Sequence, residues 1–156
     1  MIEIRPVARS EAALLRSFLY HAVHVRPGDE PPPAECVDEP MLASYYQDWG
    51  RDGDCCFVAD LGDNQIIGAA WVRQFTEANP GYGFINESVL SLAISVLPEF
   101  RGKGIGTQLL EVLFQECYPT SISLSVQKTN PAANLYRRFG FEEVRETNEE
   151  WVMQLR

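Results

Sequence analysis

No apolar run in this sequence approaches the roughly 20 residues that a membrane-spanning helix needs, so no membrane partner is expected. Histidine is scarce: there are 2, His21 and His24. They stand close enough at a helix end to form half of a metal site. No cluster of further ligands accompanies them, so no metal is expected. A Cys-x-x-Cys pair is missing as well. Cys36, Cys55, Cys56 and Cys117 are scattered, and the adjacent Cys55 and Cys56 would point to opposite faces of a strand. That usage reads as reduced thiols in a cytosolic protein rather than a disulfide framework. Basic residues are few: 13 Lys and Arg against 22 Asp and Glu give a formal net charge of −9. Phosphate backbones want basic faces, so nucleic acid is not an expected partner. The acidic balance suits a cationic partner, and it suits solubility alone equally well. The opening stretch, MIEIRPVARSEAALL, carries charges throughout and has no apolar core of leader-peptide length. The expected location is cytoplasmic.

What remains is ordinary globular composition, with 46% apolar and 22% charged residues in 156. That length suits one domain, residues 1–156, with a full core of its own. IEIRPV alternates as a strand, and Ser10 is placed to cap a helix whose stripe is Leu15, Phe18, Leu19 and Ala22. Residues 25–40 hold Pro27, Pro31, Pro32, Pro33 and Pro40, and their charges are almost all acidic. Prolines at that density break regular structure, and loops of that length inside a domain are often functional. A helix over Met41–Trp49 is expected next. CCFVAD and NQIIGAAWVRQF form a hairpin across LGDN, and VLSLAISV reads as a central strand. A helix follows that buries Ile105, Leu109, Val112 and Leu113, then the strand SISLSV. In the next helix Asn130 suits the N-cap, Pro131 the first turn and Gly140 the stop. FEEV and EWVMQL close the chain as strands. The order β-α-α-β-β-β-α-β-α-β-β defines a mixed α/β domain.

The segment RGKGIGTQLLE, residues 101–111, runs a basic glycine-rich loop straight into a helix. Unpaired backbone N–H groups at a helix start point at whatever lies there, and the helix dipole favours an anion. The spacing fits neither a P-loop nor a dinucleotide fingerprint, and no G-x-S-x-G elbow occurs. Arg101-Gly102-Lys103-Gly104-Ile105-Gly106 resembles the R/Q-x-x-G-x-G/A motif of the GNAT superfamily, the acetyl-CoA-dependent N-acetyltransferases. Asn130, Ala133 and Tyr136, with FGF behind them, resemble a second segment of that family, and the strand order is similar throughout, including Gly68.

The resemblance implies a GNAT-type fold: a central, mostly antiparallel mixed sheet, splayed at the fourth strand and flanked by about four helices. It implies acetyl-CoA as cosubstrate and no metal. Residues 102–107, ending in Gly106 and Thr107, would wrap the pyrophosphate, with Arg101 and Lys103 adding charge. Backbone groups of Ile94, Ser95 and Val96 would receive the pantetheine arm like an added strand. Asn130 and Asn134 would contact that arm, and Tyr136 would protonate the leaving thiolate. A primary amine would attack directly, so no cysteine is required. Spacing alone gives other readings: Tyr136 falls in register with Ala132, Leu135 and Phe139 as core, Asn130 as a cap, and Arg101 with Lys103 as a solvated patch. A homodimer is an open option, because members of the superfamily are commonly dimers.

The resemblance is weakest at the base. Many members carry a glutamate on the central strand; here Val89–Val96 has no carboxylate. Glu87 is the nearest candidate, roughly 23 Å from Ile94 along an extended strand. Ser91 offers a hydroxyl that would anchor a bridging water. Binding of a cationic acceptor and plain surface placement remain the other readings of Glu87. The loops 25–40 and 76–88 are expected to flank the acceptor groove with Asp29, Glu30, Glu35, Asp38, Glu39, Glu77 and Glu87, and with Tyr82 and Phe84. Such a groove suits an amine-bearing small molecule or peptide. The alternative functions are a non-catalytic acyl-CoA-binding or regulatory domain and, more weakly, hydrolysis of CoA esters.

Overall fold

The alternating and continuous apolar stretches become seven strands: β1 (Glu3–Pro6), β2 (Cys55–Asp60), β3 (Ile66–Arg73), β4 (Leu90–Val96), β5 (Ile122–Gln127), β6 (Glu142–Glu146) and β7 (Glu150–Leu155). A computed structural model describes all residues, 1–156. In it the strands form one sheet in the order β1-β2-β3-β4-β5-β7-β6. Neighbours are antiparallel except β4 and β5, which run parallel. The helices are α1 (Leu14–Ala22), α2 (Pro40–Ala43), α3 (Ile105–Cys117) and α4 (Ala132–Phe139). The element order and fold class expected from the sequence are both present. No helix is long and apolar enough to cross a membrane.

The period of two along the strands separates two cores. Phe57, Ala59, Ile67 and Ala70 face α3 and α4, where they meet Leu109, Leu110, Leu113 and Tyr136. Cys56, Val58, Ala69 and Trp71 face the other way, onto Leu15, Phe18 and Leu19 of α1. Cys55 and Cys56 therefore do lie on opposite faces of β2. Leu109 and Leu110 are fully buried, so truncating either to Ala removes about 2–5 kcal/mol of stability. Val112, expected in that set, is only half-buried; Leu110 takes its place.

Two local expectations give way to side chains. Ser10 caps nothing. The turn before α1 starts at Ala8, whose N–H donates to the Glu11 carboxylate (2.8 Å), and that carboxylate also holds Arg5 (2.7 Å). The helix expected over Met41–Trp49 stops at Ala43. Buried Arg73 reaches across from β3 and donates to the carbonyls of Ser44 (3.0 Å), Gln47 (2.6 Å) and Asp48 (3.1 Å), and the Trp71 indole takes that of Tyr45 (3.0 Å). A continuing helix would need those carbonyls for itself. Asp54 completes the arrangement with a 2.8 Å ion pair to Arg73, the two side chains being 3% and 1% exposed. Removing one member of such a pair leaves a buried charge unanswered, a loss of about 3–5 kcal/mol.

The feature that positions the site is the seam between β4 and β5. Their register is confined to Leu90↔Ile122 and Ser91↔Ser123. Beyond it β4 keeps bonding β3 as far as Val96, and β5 keeps bonding β7 as far as Gln127. The two strands diverge, and the edge of β4 from Leu92 to Val96 faces a gap instead of a neighbour.

Candidate active site

The gap opens into a cavity of about 910 Å³. One wall is Ile94, Ser95 and Val96 of β4. Ser95 turns its hydroxyl away, donating to the Phe18 carbonyl of α1 (2.6 Å), so its backbone is what the cavity meets. The floor is the glycine loop with the first turn of α3. Gly102 (φ 77°) and Gly104 (φ 82°) take left-handed backbone, which side chains with a Cβ resist. That conformation turns the chain sharply into α3. The first helical bond runs from Gln108 N–H to Gly104 O (3.1 Å), leaving the N–H groups of Ile105, Gly106 and Thr107 without carbonyl partners. A Cβ at Gly106 would stand 3.8 Å from Ile94 Cδ1 and 3.9 Å from Leu135 Cδ2, inside the slot between β4 and α4. The far wall is α4 and the residues before it.

Most of the residues singled out from sequence meet here. Gly102, Gly104, Ile105, Gly106, Thr107, Asn130 and Tyr136 line the cavity beside the three β4 residues. Asn130 has two duties rather than one. Its Oδ1 accepts from the Ala132 N–H (2.9 Å) as a cap, which leaves the amide NH2 as a donor toward the cavity it lines. Tyr136 is likewise both core and wall: it packs among buried apolar residues, and burial pushes its phenol up to about 12. Arg101 lines the cavity while donating to Val96 O (3.0 Å) and His21 O (3.0 Å), tying the end of β4 to the end of α1.

Four candidates lie off the cavity wall. Lys103 rests over the Phe100 ring (5.7 Å). Ala133 is buried in the core, and Asn134 accepts from Arg137 (3.1 Å) at the surface. Glu87 sits at the opposite end of β4, where its carboxylate accepts from the Glu77 N–H (3.1 Å). Near the same end Ser91, buried at the seam, has a hydroxyl with no hydrogen-bond partner.

A third wall combines Val25, Pro31 and Pro32 of the loop 25–40, which the sequence reading set beside the groove, with the end of α1 and its sequel, Tyr20 to His24, which it missed. Tyr20 holds this wall in place by donating to the Pro32 carbonyl (2.6 Å). The only visible trace of the missed part was the pair of histidines beside the proline loop. Arg138 of α4 was missed as well. A second cavity of about 380 Å³ adjoins, lined by Val23, His24, Val25, Arg26, Asp29, Glu30, Pro32 and Gln127. Arg26 is engaged by Glu149 (3.2 Å), so the loop's carboxylates set the sign of this smaller space.

A splayed parallel pair, a glycine-rich helix start and a buried tyrosine meet on one cavity. The family described as Acetyltransferase (GNAT) domain matches residues 52–143, and the chain belongs to it. The chain is 38% identical over 163 residues to the cysteine-rich protein 2-binding protein of Mus musculus, covering 97% of this chain and 20% of that protein. It thus spans about a fifth of that relative's length. Among solved structures, a putative acetyltransferase of Salmonella typhimurium with its cofactor acetyl-CoA superposes with a TM-score of 0.68 at 20% identity, covering 100% of this chain and 94% of that one. A GNAT superfamily phosphinothricin acetyltransferase of Sinorhizobium meliloti, in complex with AcCoA, gives 0.67 at 19% identity, covering 99% and 87%. These likenesses carry the fold.

Proposed function

We propose that this chain is an N-acetyltransferase that moves the acetyl group of acetyl-CoA to a primary amine on a cationic acceptor by direct attack. The observation that carries the reading is the seam: β4 leaves β5 after Ser91, and the slot so made is floored by a glycine-rich helix start and walled by Tyr136. Acetyl-CoA supplies an activated acyl carbon on a thioester.

The residues present fit that cosubstrate. The free N–H groups of residues 105–107, with Arg101 and Arg138 at the wall, suit a pyrophosphate. The unpaired edge at Ile94–Val96 suits an amide-bearing arm laid along it as a strand. The Asn130 NH2 adds a donor to the same arm. Tyr136 holds its phenol proton throughout the physiological range, because burial disfavours the phenolate, and delivers it to the departing sulfur. An acceptor ammonium is drawn to the smaller cavity by Asp29 and Glu30. Glu87 lies off both cavity walls, so in this reading its carboxylate does not touch the reacting amine.

The test is thiol release from acetyl-CoA with a panel of polyamines, aminoglycosides, amino acids and lysine peptides, and with no acceptor as control. Acceptor-dependent release is expected, most strongly from polycations. Release without acceptor replaces transfer by hydrolysis. Binding of acetyl-CoA with no release from any amine replaces it by a non-catalytic acyl-CoA-binding domain.

A further inference from the structure

The two cavities share four wall residues: Val23, His24, Val25 and Pro32. Three are hydrocarbon. His24 is the one side chain common to both that can carry a proton. Its Nε2 also lies 3.0 Å from Thr129 Oγ1 in the β5–α4 connection, which links the segment after α1 to the β5 side of the seam. An amine that enters from the carboxylate-lined space and reaches the slot passes this imidazole. No carboxylate lines the larger cavity.

We propose that His24 is the general base that takes a proton from the acceptor ammonium. The inference rests on the transferase reading given above. The acceptor nitrogen loses one proton to the imidazole, which returns it to solvent. The neutral amine forms the N–C bond as the C–S bond breaks, and the sulfur takes the phenol proton of Tyr136. The second nitrogen proton restores the phenol, so one proton is released per transfer.

The titratable and charged groups that line the two cavities together with His24 come from several elements. From α1 come Tyr20 and His21; from the glycine loop comes Arg101, held on the His21 carbonyl. From α4 come Tyr136 and Arg138. Its own loop brings Asp29, Glu30 and Arg26, the last paired with Glu149 of the β6–β7 turn. Imidazole is the side chain that changes charge between pH 5 and 8, which suits a base acting near neutrality.

The experiment is the pH dependence of kcat/KM from pH 6 to 10, for wild type, His24→Gln and His24→Asn, with the panel amine that wild type acetylates fastest. Both variants should lose about 10²–10³-fold at pH 7 and regain about tenfold per pH unit, converging on wild type near pH 10, where an alkylamine deprotonates unaided. A merely structural histidine would lower activity by the same factor at every pH. A uniform loss or no loss in both variants overturns the assignment while leaving the transferase reading intact. Wild type that acetylates no amine in the panel removes the transferase reading, and the base with it.

Discussion

The larger cavity presents backbone groups at its glycine loop and strand edge, whereas the smaller presents mainly polar side chains. The glycine loop offers free N–H groups and a left-handed turn beside an unpaired strand edge, and only Arg101 and Arg138 add formal charge. In the smaller cavity Asp29, Glu30 and Gln127 project from a proline-rich loop and the end of β5. A backbone site suits a ligand whose chemistry is fixed, because peptide groups cannot be substituted. A side-chain site can be retuned residue by residue without disturbing the fold. Division of this kind is expected of a protein with one constant cosubstrate and an acceptor particular to it.

Breaking the larger side at Tyr136, its proposed proton donor, should have the greatest effect. Tyr136→Phe keeps the ring in its buried setting and removes the proton; kcat should fall about 10²–10⁴-fold with acetyl-CoA affinity unchanged, measured by steady-state kinetics and calorimetry. Next comes the slot itself. Gly106→Ala places a methyl between Ile94 and Leu135, and acetyl-CoA affinity should drop about tenfold, or about 1.4 kcal/mol. The melting temperature should hold or rise in the same variant, since Ala outranks Gly in a helix by about 0.8–1 kcal/mol. Asp29→Asn combined with Glu30→Gln attacks only the smaller cavity. It should raise KM for a polyamine about three- to tenfold and flatten its dependence on salt, leaving KM for acetyl-CoA in place. The smallest effect is one of pH and compares the two cores, Tyr45 in the one under α1 and Tyr136 in the one under α3 and α4. Burial pushes both Tyr45 and Tyr136 up to about 12, above the unfolded value, so stability should be full below pH 10 and decline as pH rises toward 12. Chemical denaturation across that window should decline less steeply in Tyr136→Phe, which lacks one of the two phenols.

The same division explains what the sequence disclosed. Glycines at 102, 104 and 106 before an apolar helix announce a backbone device, and the structure places it where expected. The strand order was equally legible, because alternation and turn residues are local. Residues brought together by packing were not. The helix over Met41–Trp49 fails because Arg73, on a distant strand, takes its carbonyls. His21 and His24 were weighed only as metal ligands; that His24 forms part of two cavities depends on how α1 ends against β4, a fact no spacing rule contains. Glu87 drew attention through its place in the chain, and the extended geometry of β4 takes it away from the slot.

The short pairing of β4 with β5 has a mechanical meaning. The sheet is two plates joined along a brief hinge. One side of the joint is riveted by the loop before β4: Ser123 donates to Gly83 O (2.7 Å), Arg145 donates to Phe84 O (3.0 Å), and Gly83 lies so near β5 that a Cβ would stand 2.7 Å from the Leu124 carbonyl carbon. The other side of the joint is the slot. A ligand laid there as a strand becomes a spline between the plates, adding backbone bonds where the chain itself has none. Loading the protein should therefore slow amide exchange on both β4 and β5 at once, so that occupancy is felt as stiffness on both sides of the hinge.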